Sequence, residues 1–106
     1  MRIPGWDSIT AQIDAIGRFQ DDWDGAGSPA PDPGAVVGAA RLAKAMQAQD
    51  YPAPGRVTPG VNGTICFEWH TAAGYLEIEV TSAVDAEMAW VANGSAVAEV
   101  AAVALG

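Results

Sequence analysis

The chain has 106 residues, half of them apolar and four of them Trp, with a formal charge of −8. That length suits one domain and is too short for two cores of ordinary size, while the apolar content supports one core without disulfides or a structural metal. The acidic balance weighs against direct nucleic-acid binding, and no apolar run approaches the ~20 residues that cross a bilayer.

Residues 7–20 read as a helix, because Ile9, Ile13, Ile16 and Phe19 or Gln20 recur on one stripe after an Asp7-Ser8 start signal. The two Gly and two Pro residues between Gly25 and Pro31 break that helix, so Trp23 to Pro31 is expected to be a loop. In that reading Trp23 plugs the core between two helices and its flanking aspartates solvate the turn. Asp32-Pro33 then supplies an N-cap with proline in the first turn, and Ala35, Val36, Ala39, Leu42, Ala43 and Met46 form the stripe of a second helix, 33–49.

Tyr51-Pro52-Ala53-Pro54-Gly55 is a stiff linker, after which the period changes from helical to alternating. A short strand begins at Arg56-Val57-Thr58, and Asn62-Gly63 is a tight-turn signal. Thr64 to His70 and Tyr75 to Val80 alternate, joined by the loop Thr71-Ala72-Ala73-Gly74. That hairpin sets Ile65, Phe67 and Trp69 opposite Val80, Ile78 and Leu76 on an apolar face that must meet the helices. A strand from about Ala86 to Ala92 follows, with Met88 and Trp90 on one side and Glu87, Ala89 and Val91 on the other; Asn93-Gly94 is its turn. The tail Ala96 to Leu105 fits a strand through Val97, Ala101, Val103 and Leu105, and a helix through Val97, Val100 and Ala104; the strand is adopted. The expected fold is therefore α+β, a single domain with two N-terminal helices on one face of an antiparallel meander of about four to five strands over 56–106.

Charge is distributed unevenly. All five basic residues lie in 1–56, where seven acids leave −2, whereas 57–106 holds no Lys or Arg against six acids. On the other face of the central hairpin, Glu68 is expected opposite Glu77, Cys66 opposite Glu79 and His70 opposite Tyr75. Two readings follow: the carboxylates point into water at little cost, or a basic partner relieves them.

Chemistry-bearing motifs are scarce. One His and one Cys cannot complete a structural zinc site, and an EF-hand aligned on Asp22, Asp24 and Gly25 would need its terminal glutamate where Pro31 stands. No phosphate loop, nucleophile elbow or zincin helix occurs. Glu68 and His70 would make a base and its orienter only on a flat face without a pocket, and carboxylates around Cys66 raise a thiol pKa. No metal, cofactor or catalytic residue is expected. The lone Cys66 precludes an internal disulfide, and residues 1–5 lack a signal-peptide run; both agree with a cytoplasmic protein.

Asp22-Trp23-Asp24-Gly25-x-Gly27 with its prolines, followed by Phe67-Glu68-Trp69 and Leu76-Glu77-Ile78-Glu79-Val80, resembles a group of small uncharacterised bacterial and phage proteins. The resemblance spans roughly residues 20–80. It implies the architecture and a bacterial or phage-infected cell, and brings no activity; the alanine-rich end after Asn93-Gly94 departs from it.

The leading expectation is an acidic, non-enzymatic binding protein: an inhibitor, immunity or anti-defence factor, anti-CRISPR-like, that mimics nucleic acid on a basic protein such as a nuclease complex. Glu68, Glu77, Glu79 and Glu87 would steer the encounter, Tyr75, Trp90 and His70 would contribute contacts, and Asp22, Trp23 and Asp24 are a second recognition candidate. Two alternatives stand beside it. One is a small-molecule or nucleotide site, or minimal enzyme, lined by Trp23, Trp69 and His70 between helices and sheet. The other is a subunit that self-associates as a homodimer through the strand edge Val97 to Leu105.

Overall fold

Two helices lie on one face of a five-stranded antiparallel sheet whose strands follow chain order, the α+β meander expected. The computed structural model describes residues 5–95 and 97–105. The helices are α1 (Trp6–Ile16) and α2 (Pro33–Ala48), and the strands are β1 (Arg56–Pro59), β2 (Ile65–Thr71), β3 (Gly74–Val80), β4 (Asp85–Ala92) and β5 (Glu99–Ala104). Ala96, where the tail strand was expected to begin, lies outside the described residues; the strand itself is present from Glu99.

α1 differs from its expected span at both ends. It starts one residue earlier because Trp6 is buried, 3% exposed, with its indole N–H donating to the Tyr51 carbonyl at 2.7 Å. Gly5 occupies the N-cap without a side-chain bond, so Asp7-Ser8 does not cap it. The helix ends at Ile16, before Gly17, and the stripe Trp6, Ile9, Ile13, Ile16 is the buried one. Phe19 lies beyond it, exposed and against Trp23 with ring centroids 5.6 Å apart.

α2 begins at Asp32-Pro33 as expected, with Asp32 at the N-cap position but making no side-chain cap bond. Ala35, Ala39, Leu42 and Ala43 are buried in the core. Gly38 allows the closest approach: a Cβ there would lie 2.2 Å from the Ser82 carbonyl and 2.7 Å from Val80. Small residues thus let the backbone of α2 lie directly on the β3–β4 connection. Trp69 donates its indole N–H to the Pro52 carbonyl at 3.0 Å, so two tryptophans hold neighbouring carbonyls of the proline linker.

The central register is the expected one, with Ile65, Phe67 and Trp69 paired to Val80, Ile78 and Leu76. Ile65, Phe67 and Val80 are the largest fully buried side chains, each contributing about 1.5–3 kcal/mol of burial. The β2–β3 loop is shorter than expected. Thr71 pairs with Gly74, leaving Ala72-Ala73 as the turn, because the Thr71 hydroxyl accepts from the Ala73 and Gly74 N–H groups. Asn93 braces that turn, donating its backbone N–H to Ala73 and its side-chain amide to Ala72. At the β1–β2 connection Gly63 has φ +87°, the left-handed conformation that the Asn62-Gly63 signal implies. No helix among the described residues is long and apolar enough to cross a membrane.

Candidate functional site

Period-two alternation sends every second strand residue to the face the helices leave open. Registers place Arg56 and Thr58 of β1 beside Glu68 and Cys66 of β2; Tyr75, Glu77 and Glu79 of β3 beside His70, Glu68 and Cys66; and Val91, Ala89 and Glu87 of β4 beside those three. Val100 and Ala102 of β5 complete the face. The sequence expectation of Glu77 opposite Glu68, Cys66 opposite Glu79 and His70 opposite Tyr75 matches this geometry.

Glu68 departs from the expected exposed cluster. It is 8% exposed and accepts from Arg56 Nε at 2.6 Å, from Tyr75 Oη at 2.9 Å and from Thr58 Oγ1 at 3.4 Å. The Arg56 guanidinium, with the Tyr75 hydroxyl assisting and partial burial opposing, holds the carboxyl below its usual range. The repulsion read between Glu68 and Glu77 is therefore relieved from within the chain: Arg56 lies directly opposite Glu68 in the β1–β2 ladder. Charge counting along the chain does not reveal this, because Arg56 lies in the first half of the sequence and meets Glu68 only through the β1–β2 register. Tyr75 is correspondingly committed, its hydroxyl pKa pushed up by burial and by the bond to Glu68.

With Glu68 and Arg56 joined, the net acid of the face resides in Glu77, Glu79 and Glu87, with Asp85 at its margin, where β4 begins and the Ser82 hydroxyl donates to its carboxylate. Glu77 and Glu79 are half-buried and Glu87 is exposed. Glu79 faces Glu87 across the β3–β4 ladder and accepts from the buried Thr64 hydroxyl at 2.8 Å. Cys66 sits among these groups, half-buried, and its thiol pKa is pushed up to about 12, first by burial and then by Glu77, Glu79 and Glu68. A thiol so protonated is a poor nucleophile near neutrality. His70 is exposed at the end of β2, its ring 4.7 Å from that of Tyr75.

Asp22, Trp23 and Asp24 lie in a separate loop, not on the sheet face. Their carboxylates are turned inward on their own backbone: Asp21 accepts from the Ala30 N–H, Asp22 from Gly27, and Asp24 from Ala26, Ser28 and the Ser28 hydroxyl. The Ser28 hydroxyl foremost, then the Ala26 N–H, lowers the Asp24 pKa. Trp23 donates to the Pro29 carbonyl at 3.0 Å and lies outside the core, so the plug expected of it between the helices is not formed; Trp6 occupies the helix side of the core. The Trp-Asp-Gly signature encodes a loop that saturates its own hydrogen bonds.

Trp23, Trp69 and His70 do not converge. Trp69 is buried under the helices, His70 follows it onto the opposite face, and Trp23 belongs to the distant loop. An open hollow does occur between α1 and α2, lined by Ile13, Val36 and Ala43 together with Asp14 and Lys44, but Trp23, Trp69 and His70 do not line it. Among the described residues no group of three or more His, Cys, Asp or Glu is placed to hold a metal ion. No family model, curated protein or solved structure matches the chain.

Proposed function

We propose that the open sheet face is a docking surface for a basic protein, and that the chain is a non-enzymatic acidic binder of the inhibitor or anti-defence kind. The observation that carries the reading is the composition of that face. Tyr75, Ala89, Val91, Val100 and Ala102 form an apolar strip on the sheet face that no helix covers, and Glu77, Glu79 and Glu87 border it with no Lys or Arg among the described residues of these strands beyond Arg56, which Glu68 engages. An apolar centre with a charged margin is the anatomy of a protein interface rather than of a merely solvated sheet.

Spacing supports a partner whose basic surface normally meets phosphates. Glu77 and Glu79, two residues apart on one strand, repeat at ~6.8 Å, and adjacent strands add rows ~4.8 Å apart. The carboxylates thereby form a fixed two-dimensional array of negative charge, suited to an Arg- or Lys-lined groove. Like-charge repulsion excludes nucleic acid itself from the same face.

Salt dependence tests the reading. Association with the partner is expected to weaken steeply between roughly 50 and 300 mM salt, with the change carried mainly by the association rate. A complex whose affinity is indifferent to salt would overturn it.

A further inference from the structure

The two edges of the sheet are built differently, and we infer that β5 is the interface of a symmetric dimer, pairing antiparallel with β5 of a second copy about a twofold axis through Ala102. This is independent of the acidic-face reading.

β1 is a closed edge. It has four residues, α1 packs against it, and the Gly60 N–H bonded to the Thr64 carbonyl turns alternate residues outward at Val57 and Pro59. Pro59 has no N–H to offer, and Arg56 adds charge; both are devices that keep a strand edge single.

β5 has no such proline, and its one charged residue, Glu99, stands at its first position. Glu99–Ala104 contains no Pro, Lys or Arg, its residues are exposed apart from Val103, and Val100 is 60% exposed. The Leu105 N–H bonds to the Val84 carbonyl, and alternation from there turns Val103, Ala101 and Glu99 toward β4. Val100, Ala102 and Ala104 therefore present their N–H and C=O groups to the open edge. A twofold axis through Ala102 sets Val100 of each copy opposite Ala104 of the other and Ala102 opposite itself. All three outward residues pair, giving about six backbone hydrogen bonds.

A second copy is the occupant that fits. Glu99 then falls opposite Leu105 rather than another acid. The two Glu87 side chains are separated by three strand spacings, ~14 Å, beyond the ~8–10 Å screening length at physiological salt. On the helix side, Ala101 meets Val103 of the partner copy, and the partly open apolar hollows of Leu76, Met88 and Trp90 come to flank the joint. Pairing consumes both bare edges and leaves only the two closed β1 edges outermost, so assembly stops at two chains.

Sedimentation or light scattering of the full chain over ~10–500 µM is expected to show a mass about twice 10.9 kDa. A102P removes one outward N–H without touching the β4 ladder, so it is expected to halve that mass while keeping the parent's circular dichroism. A single-chain mass for the parent throughout the range, or a folded A102P that remains dimeric, overturns the inference. Should A102P not fold, the register is read by cross-linking in a C66S background. A102C is expected to form an interchain disulfide on mild oxidation, its Cα atoms being ~5.5 Å apart in a hydrogen-bonded pair. V100C, ~14 Å from its own copy along the strand, is expected not to. Equal cross-linking of the two, or none in A102C, overturns it.

Discussion

Glu68 shows how far a residue's role depends on one neighbour in the adjacent strand. Its carboxylate is held by Arg56, Tyr75 and Thr58 at a buried position, so its loss leaves a phenol and a guanidinium without their acceptor. Glu68→Ala is expected to cost about 1–3 kcal/mol in urea unfolding at neutral pH. Because its folded pKa lies below the ordinary carboxylate value of 4.5, the stabilisation is present above that pH and is lost as pH falls through the folded value. Glu68→Gln is therefore expected to lose less stability than the parent between pH 7 and pH 3.5; identical acid slopes would contradict the assignment. Cys66 offers an independent check on the same face. A shift from 9.0 to about 12 lowers the thiolate fraction at pH 8 by roughly a thousandfold, so iodoacetamide is expected to alkylate the native chain at least that much more slowly than the chain in denaturant. Neither effect was legible from the sequence in full. The carboxylates around Cys66 were, but the larger cause, burial, needed the structure, and Arg56 needed the β1–β2 register.

Elements were legible where the period was long and regular. The central hairpin register follows from the alternation of Ile65, Phe67, Trp69 and Leu76, Ile78, Val80, because a one-residue slip would expose the whole apolar set. Boundaries were less legible. Local signals placed the start of α1 at Asp7-Ser8, and a long-range bond from Trp6 to Tyr51 overrode them. Trp23 was expected to plug the core between the helices, whereas its indole is bonded within its own loop, to the Pro29 carbonyl. The tail supported strand and helix equally by pattern; pairing with β4 decided it. The seating of α2 depends on Gly38, which sequence spacing does not reveal. Gly38→Ala drives a methyl into the Ser82 carbonyl and Val80 and is expected to destabilise by about 1–3 kcal/mol, seen as a lower melting temperature. A melting temperature raised by the usual helix-propensity gain would show that α2 does not approach the sheet so closely.

For the molecule as a whole, the helices and the sheet divide the work. α1, α2 and the proline linker cover one face and supply the core, while the opposite face is left uncovered with Glu77, Glu79 and Glu87 beside an apolar strip. Net charge alone indicates an acidic half with six acids; in the structure Glu68 is consumed by an internal ion pair, Asp85 and Glu99 stand at strand ends, and Glu77, Glu79 and Glu87 remain at the middle of the open face. None of those three side chains belongs to the apolar core, and Glu79 also accepts from the Thr64 hydroxyl, so a charge-reversed variant is compared with the parent only after circular dichroism shows it folded. The most direct measurement is parallel capture from source-cell lysate at low salt on immobilised parent and on the folded Glu77→Lys/Glu79→Lys variant. The parent is expected to retain a basic protein that salt releases and that the variant fails to retain, whereas retention of the same protein by both would contradict docking through this face.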